Sequence, residues 1–268
     1  MTPELADTLR EELGRFYERR NISLESPEVR ATLHSNSADV ADRAAPLVAM
    51  LRRRGLATLD GVELVDLGCG FGALALYFAD LGARVTAVDV DAERFEVCRA
   101  VAERHGLAVE AVRCRMERLD LADARFDAAV QSNSLCYIVG AEPRAAALTE
   151  TLRVLRPGGT LVTRDLNRWQ PVDRFTGLPL VHLLSPDRAA RVAGRLGRAR
   201  SSVRVTSPLR ARRELRAAGF ASIRHESSAP GVRRALRLFA RYHHFTAVRP
   251  PRLSSPRPNP GTDPSAIQ

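Results

Sequence analysis

The chain has 268 residues, enough for one large domain with a buried core or at most two small ones. Hydrophobic residues make up 45% and charged residues 27%, the range of an ordinary globular protein, and no apolar run approaches the roughly 18 to 20 residues that span a bilayer. The formal net charge is +10, all 41 basic residues are arginine, and the excess is confined to the C-terminal part, where eighteen arginines face four acidic residues from Ser185 onward.

Residues 2–20 place Leu5, Leu9, Leu13 and Phe16 at three- and four-residue spacing, the period of an amphipathic helix. Glu4, Asp7, Glu11 and Glu12 make this segment too acidic for a secretory leader, so a cytoplasmic location is expected. A polar stretch follows over 21–37. A second helix is expected over 38–54, with Val40, Ala44, Leu47, Val48 and Leu51 on one side, stopped by Gly55 or Gly61. From there strands and helices alternate. Strands are read at 63–67, 84–88, 109–114, 127–131 and 160–165. Helices are read at 71–81, at 92–105 with Gly106 as the stop, and at 142–155 before Pro157-Gly158-Gly159. Such alternation builds βαβ units and a parallel sheet, and the apolar run Val85-Thr86-Ala87-Val88 fits a strand covered on both faces.

After Leu166 the pattern breaks. Residues 167–207 are rich in arginine and contain Pro171, Pro179 and Pro186, which reads as an insertion with one or two helices, placed where a lid could sit. A helix over 208–218, a strand through His225 and a last strand over 243–248 complete the pattern. Six prolines among the nineteen residues of 250–268 predict a disordered tail. The expected organisation is therefore an N-terminal helical segment (1–60), a main domain (61–249, with the insertion at about 167–207) and the tail (250–268). The C-terminal basic excess favours anionic partners: an acidic small substrate, a phosphorylated carrier, a membrane surface or RNA. The competing reading is a solvated basic surface. Cys69, Cys98, Cys114 and Cys136 form no C-x-x-C pair, so four reduced thiols are expected, with neither a disulfide framework nor a metal site.

The most informative segment is Val62-Glu63-Leu64-Val65-Asp66-Leu67-Gly68-Cys69-Gly70-Phe71-Gly72, which lies between an apolar strand and a helix. Glycines there permit a tight turn and close approach of the backbone to a ligand, and N–H groups at a helix start bind polar or anionic groups. Asp89 ends the next strand, seventeen residues after Gly72, where a carboxylate can accept hydrogen bonds from both hydroxyls of a ribose. The spacing is G-x-G-x-G, not the G-x-G-x-x-G of dinucleotide loops.

With Asp66 two residues before Gly68, this loop resembles the first motif of class I S-adenosylmethionine-dependent methyltransferases. Three further segments resemble the same family in order: Arg125-Phe126-Asp127-Ala128-Ala129-Val130, Leu152-Arg153-Val154-Leu155-Arg156-Pro157-Gly158-Gly159-Thr160-Leu161, and Leu215-Arg216-Ala217-Ala218-Gly219-Phe220. The resemblance implies a doubly wound, mostly parallel seven-stranded sheet and S-adenosyl-L-methionine as cofactor. It implies Gly68, Cys69, Gly70 and Gly72 against the methionine part, Asp66 near the amino group, Asp89 on the ribose and Val90 beside adenine. The Asp usual in the third motif is replaced by Arg115, so Met116 and Glu117 are the adenine candidates here. Gln131 and Ser132 are expected to face the methionine or the methyl group.

The acceptor site in this fold lies at the carboxyl ends of the strands. Candidate lining residues are Ser134, Cys136 and Tyr137 after the fourth strand and Asp165, Asn167 and Trp169 after the fifth, with Tyr17 and the His34 segment as the opposite wall. Candidate catalytic groups are Asp165, Tyr137 and the insertion's His182, each with a packing or capping role as the alternative. Three functions stay open: methyl transfer to O, N or C of a small molecule (a natural product, quinone or lipid precursor), an RNA or protein methyltransferase, and a non-catalytic binder of the cofactor. Ser132-Asn133-Ser134-Leu135 lacks the D/N-P-P-Y/F pattern of exocyclic-amine methylation, which favours the small molecule and disfavours nucleic acid. An anionic acceptor and a homodimer are further expectations.

Overall fold

Short apolar segments punctuated by glycine form the centre of the molecule. β1 (Glu63–Leu67), β2 (Arg84–Asp89), β3 (Val109–Arg113), β4 (Phe126–Ser132) and β5 (Leu155–Leu166) pair in parallel, with Leu64 opposite Val85 on one side and Ala128 on the other. β6 (Ala221–Glu226) and β7 (Tyr242–Val248) close the sheet, β7 running antiparallel to both β5 and β6. The order is β3-β2-β1-β4-β5-β7-β6, a doubly wound, mostly parallel seven-stranded sheet as expected. This computed structural model describes residues 1–173, 176–197, 203–226, 240 and 242–251.

Successive side chains on a strand point to opposite faces, and the two faces carry separate cores. Leu64, Val85 and Val162 join Leu5, Leu47 and Phe78 in one, under α1 (Pro3–Glu18), α3 (Val40–Arg53), α4 (Ala73–Asp80) and α5 (Arg94–His105). Val65, Leu161 and Phe245 join Leu148 and Leu215 in the other, under α6 (Ala141–Val154) and α8 (Pro208–Ala217). Each fully buried aliphatic or Phe side chain contributes about 1.5–3 kcal/mol, so residues 1–60 are packed into the first core by Leu5, Leu9 and Leu47. A partly buried pair ties the second layer together: the buried Arg144 on α6 donates to the Glu214 carboxylate on α8 at 2.8 Å.

Two features depart from the expected elements. The polar stretch 21–37 contains a helix, α2 (Pro27–Asn36), which buries only Val29. β5 starts immediately after α6 and runs through Pro157-Gly158-Gly159, which form a bulged strand where a turn was expected. Gly159 is required there, because a Cβ would lie 2.8 Å from the Arg156 carbonyl oxygen. The insertion after β5 holds a bridge between Val172 and Pro179, a 3-10 turn (Val181–Leu183) and α7 (Pro186–Arg195). The tail expected to be disordered lies outside the described residues from 252 on. Among the described residues no helix is long and apolar enough to cross a membrane.

Candidate cofactor and acceptor cleft

β1 and β4 are neighbours whose chain connections leave in opposite directions, and the crevice beyond their carboxyl ends is where such sheets bind ligands. A cleft of about 1340 Å³ opens there. Its floor begins with the glycine loop. The N–H groups of Gly68 and Cys69 both donate to the Val88 carbonyl, at 2.8 and 3.0 Å, which straps the loop to the end of β2. Gly68 has φ +76° and Gly72 has φ +77°, conformations that favour glycine. A Cβ on Gly68 would lie 2.3 Å from the Ser134 Cβ, and one on Gly72 would lie 2.3 Å from the Cys98 sulfur. Neither position has room for a side chain.

Asp89 finishes the loop. Its Oδ2 accepts from the Gly70 N–H at 2.8 Å and its Oδ1 from the Asp91 N–H at 3.1 Å. Each oxygen keeps a lone pair for a further donor. Asp66 is buried one strand away, and its Oδ2 has no hydrogen-bond partner. Burial pushes its carboxyl up to about 7, and the positive charge of Arg43 on α3 works against that rise. The side-chain oxygens of Ser132, Asn133 and Ser134, which follow in chain order along the end of β4, are also buried without a partner. All four residues line the cleft. Orphaned buried oxygens are costly to the folded state, at about 1–3 kcal/mol each, and a polar ligand seated over the glycines would satisfy them.

Most of the sequence-derived site residues meet in this cleft: Asp66, Gly68, Cys69, Gly70, Asp89, Val90, Met116, Glu117, Ser132 and Tyr137 all line it. Gly72 serves it indirectly, as the N-cap of α4 packed on Cys98. Burial raises the Cys69 thiol well above its usual value, so it stays protonated and takes no nucleophilic part.

Six further expected site residues lie outside the cleft. Gln131 points to the other face of the sheet, fully buried, where its amide donates to Thr151 on α6 at 3.1 Å. Asp165 does the same: strand alternation sends Arg164 into the cleft and Asp165 into a small cavity shared with Arg144, Glu214 and His243. His182 is buried within the insertion, its Nε2 3.1 Å from the Asp173 carboxylate and 2.6 Å from the Gln170 amide, and does not reach the cleft. Cys136 lies beneath the lining, its thiol donating to the Asn133 carbonyl at 3.3 Å, and Asn167 and Trp169 are likewise outside it.

Arg43, Arg164 and Tyr242 are among the lining residues that the sequence reading did not name. Arg43 comes from α3, and Arg164 and Tyr242 come from β5 and β7, the Arg164 guanidinium lying 3.5 Å from the centre of the Tyr242 ring. The wall expected from the N-terminal helices is present, with Tyr17, Ser35 and Asn36 on the lining.

Residues 65–163, from β1 to the middle of β5, match the family described as methyltransferase domain. This central stretch of the chain is a methyltransferase domain. The ubiquinone biosynthesis O-methyltransferase of Methylocella silvestris is 36% identical over 110 residues, 41% of this chain and 42% of the relative. The sterol 4-C-methyltransferase strm-1 of Caenorhabditis elegans is 29% identical over 117 residues, 43% and 34% of the two chains. Each match spans less than half the length of the curated relative. Among solved structures, the S-adenosylmethionine dependent methyltransferase from Mesorhizobium loti superposes with a TM-score of 0.56 at 22% identity, over 78% of this chain and 100% of that one, which shows the shared fold.

The cleft of this methyltransferase domain fits S-adenosyl-L-methionine. A loop that admits no Cβ at Gly68, a buried carboxyl at Asp66 near the Arg43 cation, and unpartnered oxygens on the end of β4 suit a zwitterionic amino acid group with a sulfonium beside it.

Proposed function

We propose that this chain transfers the methyl group of S-adenosyl-L-methionine to O, N or C of a small-molecule acceptor held in the same cleft. The observation that carries this reading is the set of orphaned oxygens of Asp66, Ser132, Asn133 and Ser134, gathered around a loop that Asp89 ties down. Gly68 and Gly70 would hold the methionine part, Asp66 its ammonium, Arg43 its carboxylate and Asp89 the ribose. Val90, Met116 and Glu117 would border the adenine. When bound, the cofactor supplies an electrophilic methyl group on a positively charged sulfur.

The chain's own task is to align the acceptor and exclude water. Tyr137, 58% exposed at the rim, is placed to touch the acceptor, and its phenolic oxygen can accept or donate a proton there. Arg164, held flat against Tyr242, supplies a fixed positive charge on the floor, which suits an acceptor bearing a carboxylate or a phenolate. Asp165 and His182 keep structural roles in this reading.

The test is direct. Calorimetry should show S-adenosylmethionine and S-adenosylhomocysteine binding, with no heat from a nicotinamide dinucleotide. Incubation with methyl-labelled cofactor and a small-molecule extract should place label in the extract. Label in an RNA or protein fraction alone would transfer the function to those substrates, and label in neither would leave a binding protein.

A further inference from the structure

The insertion after β5 leaves much of its apolar surface uncovered. Val172, Leu180, Leu183 and Leu196 are 50, 58, 54 and 58% exposed. Val172, Leu180 and Leu183 fall on two successive turns of the chain, and Leu196 ends the helix that follows them. The Val172–Pro179 bridge and a Leu180 N–H to Pro171 carbonyl bond of 2.8 Å close one strap, and the 3-10 turn carrying Leu183 packs against α7. The turn is also pinned to the sheet, because the Arg168 guanidinium donates to the Leu183 carbonyl at 3.0 Å. An apolar cluster of this kind on an otherwise polar surface marks a place where something else docks.

Charge indicates what. α7 sets Arg188, Arg191 and Arg195 at three-, four- and seven-residue spacing, hence on one face, while Ala189 and Ala193 are buried on the other. None of the three arginines pairs with a carboxylate among the described residues. Exposed leucines beside unpaired arginines match the two layers of a lipid surface, with acyl chains to cover the leucines and headgroup phosphates to meet the guanidiniums. A nucleic acid would satisfy the arginines and leave the leucines wet. With ten residues α7 is about 15 Å long, half the hydrocarbon thickness, so it would lie along the interface.

We propose that this insertion is a docking surface for an anionic lipid bilayer, with Leu180, Leu183 and Leu196 entering the acyl boundary and the α7 arginines contacting headgroup phosphates. Docking sets the orientation of the cleft. Arg204, at the end of the insertion, donates from its backbone to the Cys136 carbonyl and from its guanidinium to the Val139 carbonyl, both at 2.7 Å. The exposed cleft-rim residues Tyr137 and Val139 are thus joined to the C-terminal end of the insertion, and docking would turn the rim toward the bilayer, so that an acceptor dissolved there could enter without crossing water. That last step rests on the methyl-transfer reading; the docking does not.

The experiment is co-sedimentation of the full chain with vesicles of phosphatidylcholine alone and of phosphatidylcholine mixed with phosphatidylglycerol, at low and high salt. Binding to the mixed vesicles is expected, weakening by about ten-fold or more on neutral vesicles or in high salt. Arg188→Gln/Arg191→Gln/Arg195→Gln should weaken it about a hundred-fold and flatten its salt dependence. Leu180→Ser/Leu183→Ser should weaken it about ten-fold while the salt dependence stays. Both variants should keep the melting temperature and the S-adenosylhomocysteine affinity of the parent, which separates a lost surface from a lost fold. Absence of sedimentation with any vesicle, equal binding to neutral vesicles, unchanged binding of both variants, or displacement from vesicles by RNA would each overturn the proposal. A failed methylation assay alongside intact vesicle binding would strike only the proposed activity.

Discussion

Asp66 is the residue at which burial and function meet most directly. Its carboxyl is pushed up to about 7 by burial, so in the free protein a large fraction is protonated at neutral pH. An incoming ammonium selects the carboxylate. Affinity for S-adenosylhomocysteine should therefore fall as pH drops below about 7, by up to about ten-fold per unit, and Asp66→Asn should remove that slope. Calorimetric titrations at several pH values read both outcomes, and a flat profile for the parent would separate Asp66 from the ammonium. Asp89 shapes the loop through Gly70 and Asp91, and in the proposed function it also holds the ribose. Asp89→Ala should cost at least about ten-fold in affinity, since charge-assisted hydrogen bonds contribute about 1.5–3 kcal/mol each, and should also lower the melting temperature by leaving the Gly70 N–H unpaired. Unchanged affinity would confine Asp89 to the loop.

Elements that announce themselves by local pattern were legible in the sequence. The glycine loop, Asp89 and Ser132 all stand at strand ends, where periodicity and spacing place them within a residue or so. Arg43, Arg164 and Tyr242 were not legible, because each reaches the cleft only through long-range packing of α3, β5 and β7. Neighbouring strand residues such as Arg164 and Asp165 must face opposite sides, yet only the helices laid over each face decide which side is the cleft. α2 was missed because it buries little more than Val29 and so has no apolar stripe, although Ser26-Pro27-Glu28 carries a start signal: a capping serine, proline in the first turn and an acid. The Ser26 hydroxyl accepts from the Val29 N–H at 3.3 Å. Ser26→Ala should cost α2 about 1 kcal/mol locally. Hydrogen exchange of residues 27–36 should quicken about five-fold while the melting temperature holds, and affinity should decline modestly because the Ser35 and Asn36 wall loosens. A uniform rise in exchange across the whole chain would show instead that α2 is integral to the global fold.

Across the whole molecule, four buried titratable groups act on stability in opposite directions. Burial raises Asp66 to about 7 and Asp165 to about 6, against about 3.9 in an unfolded chain. From about pH 4 upward the unfolded chain gives up these two protons while the folded one keeps them, so stability falls with rising pH until the folded carboxyls ionise near 6 to 7. His243 and His244 are pushed down to about 3 by burial, against about 6.5 when unfolded. Between about pH 3 and 6.5 only the unfolded chain protonates them, so their contribution rises with pH over that window. From about pH 4 to 6 two rising terms oppose two falling ones, and these four groups together leave the melting temperature nearly level. Asp165→Asn removes one falling term at a site outside the cleft. The difference in unfolding free energy, variant minus parent, should be smallest near pH 4 and grow in the variant's favour through pH 6, by on the order of 1 kcal/mol for each pH unit in that window. A difference independent of pH would mean that Arg144 and Arg164 hold the carboxylate ionised throughout, and that burial does not dominate the small cavity behind β5.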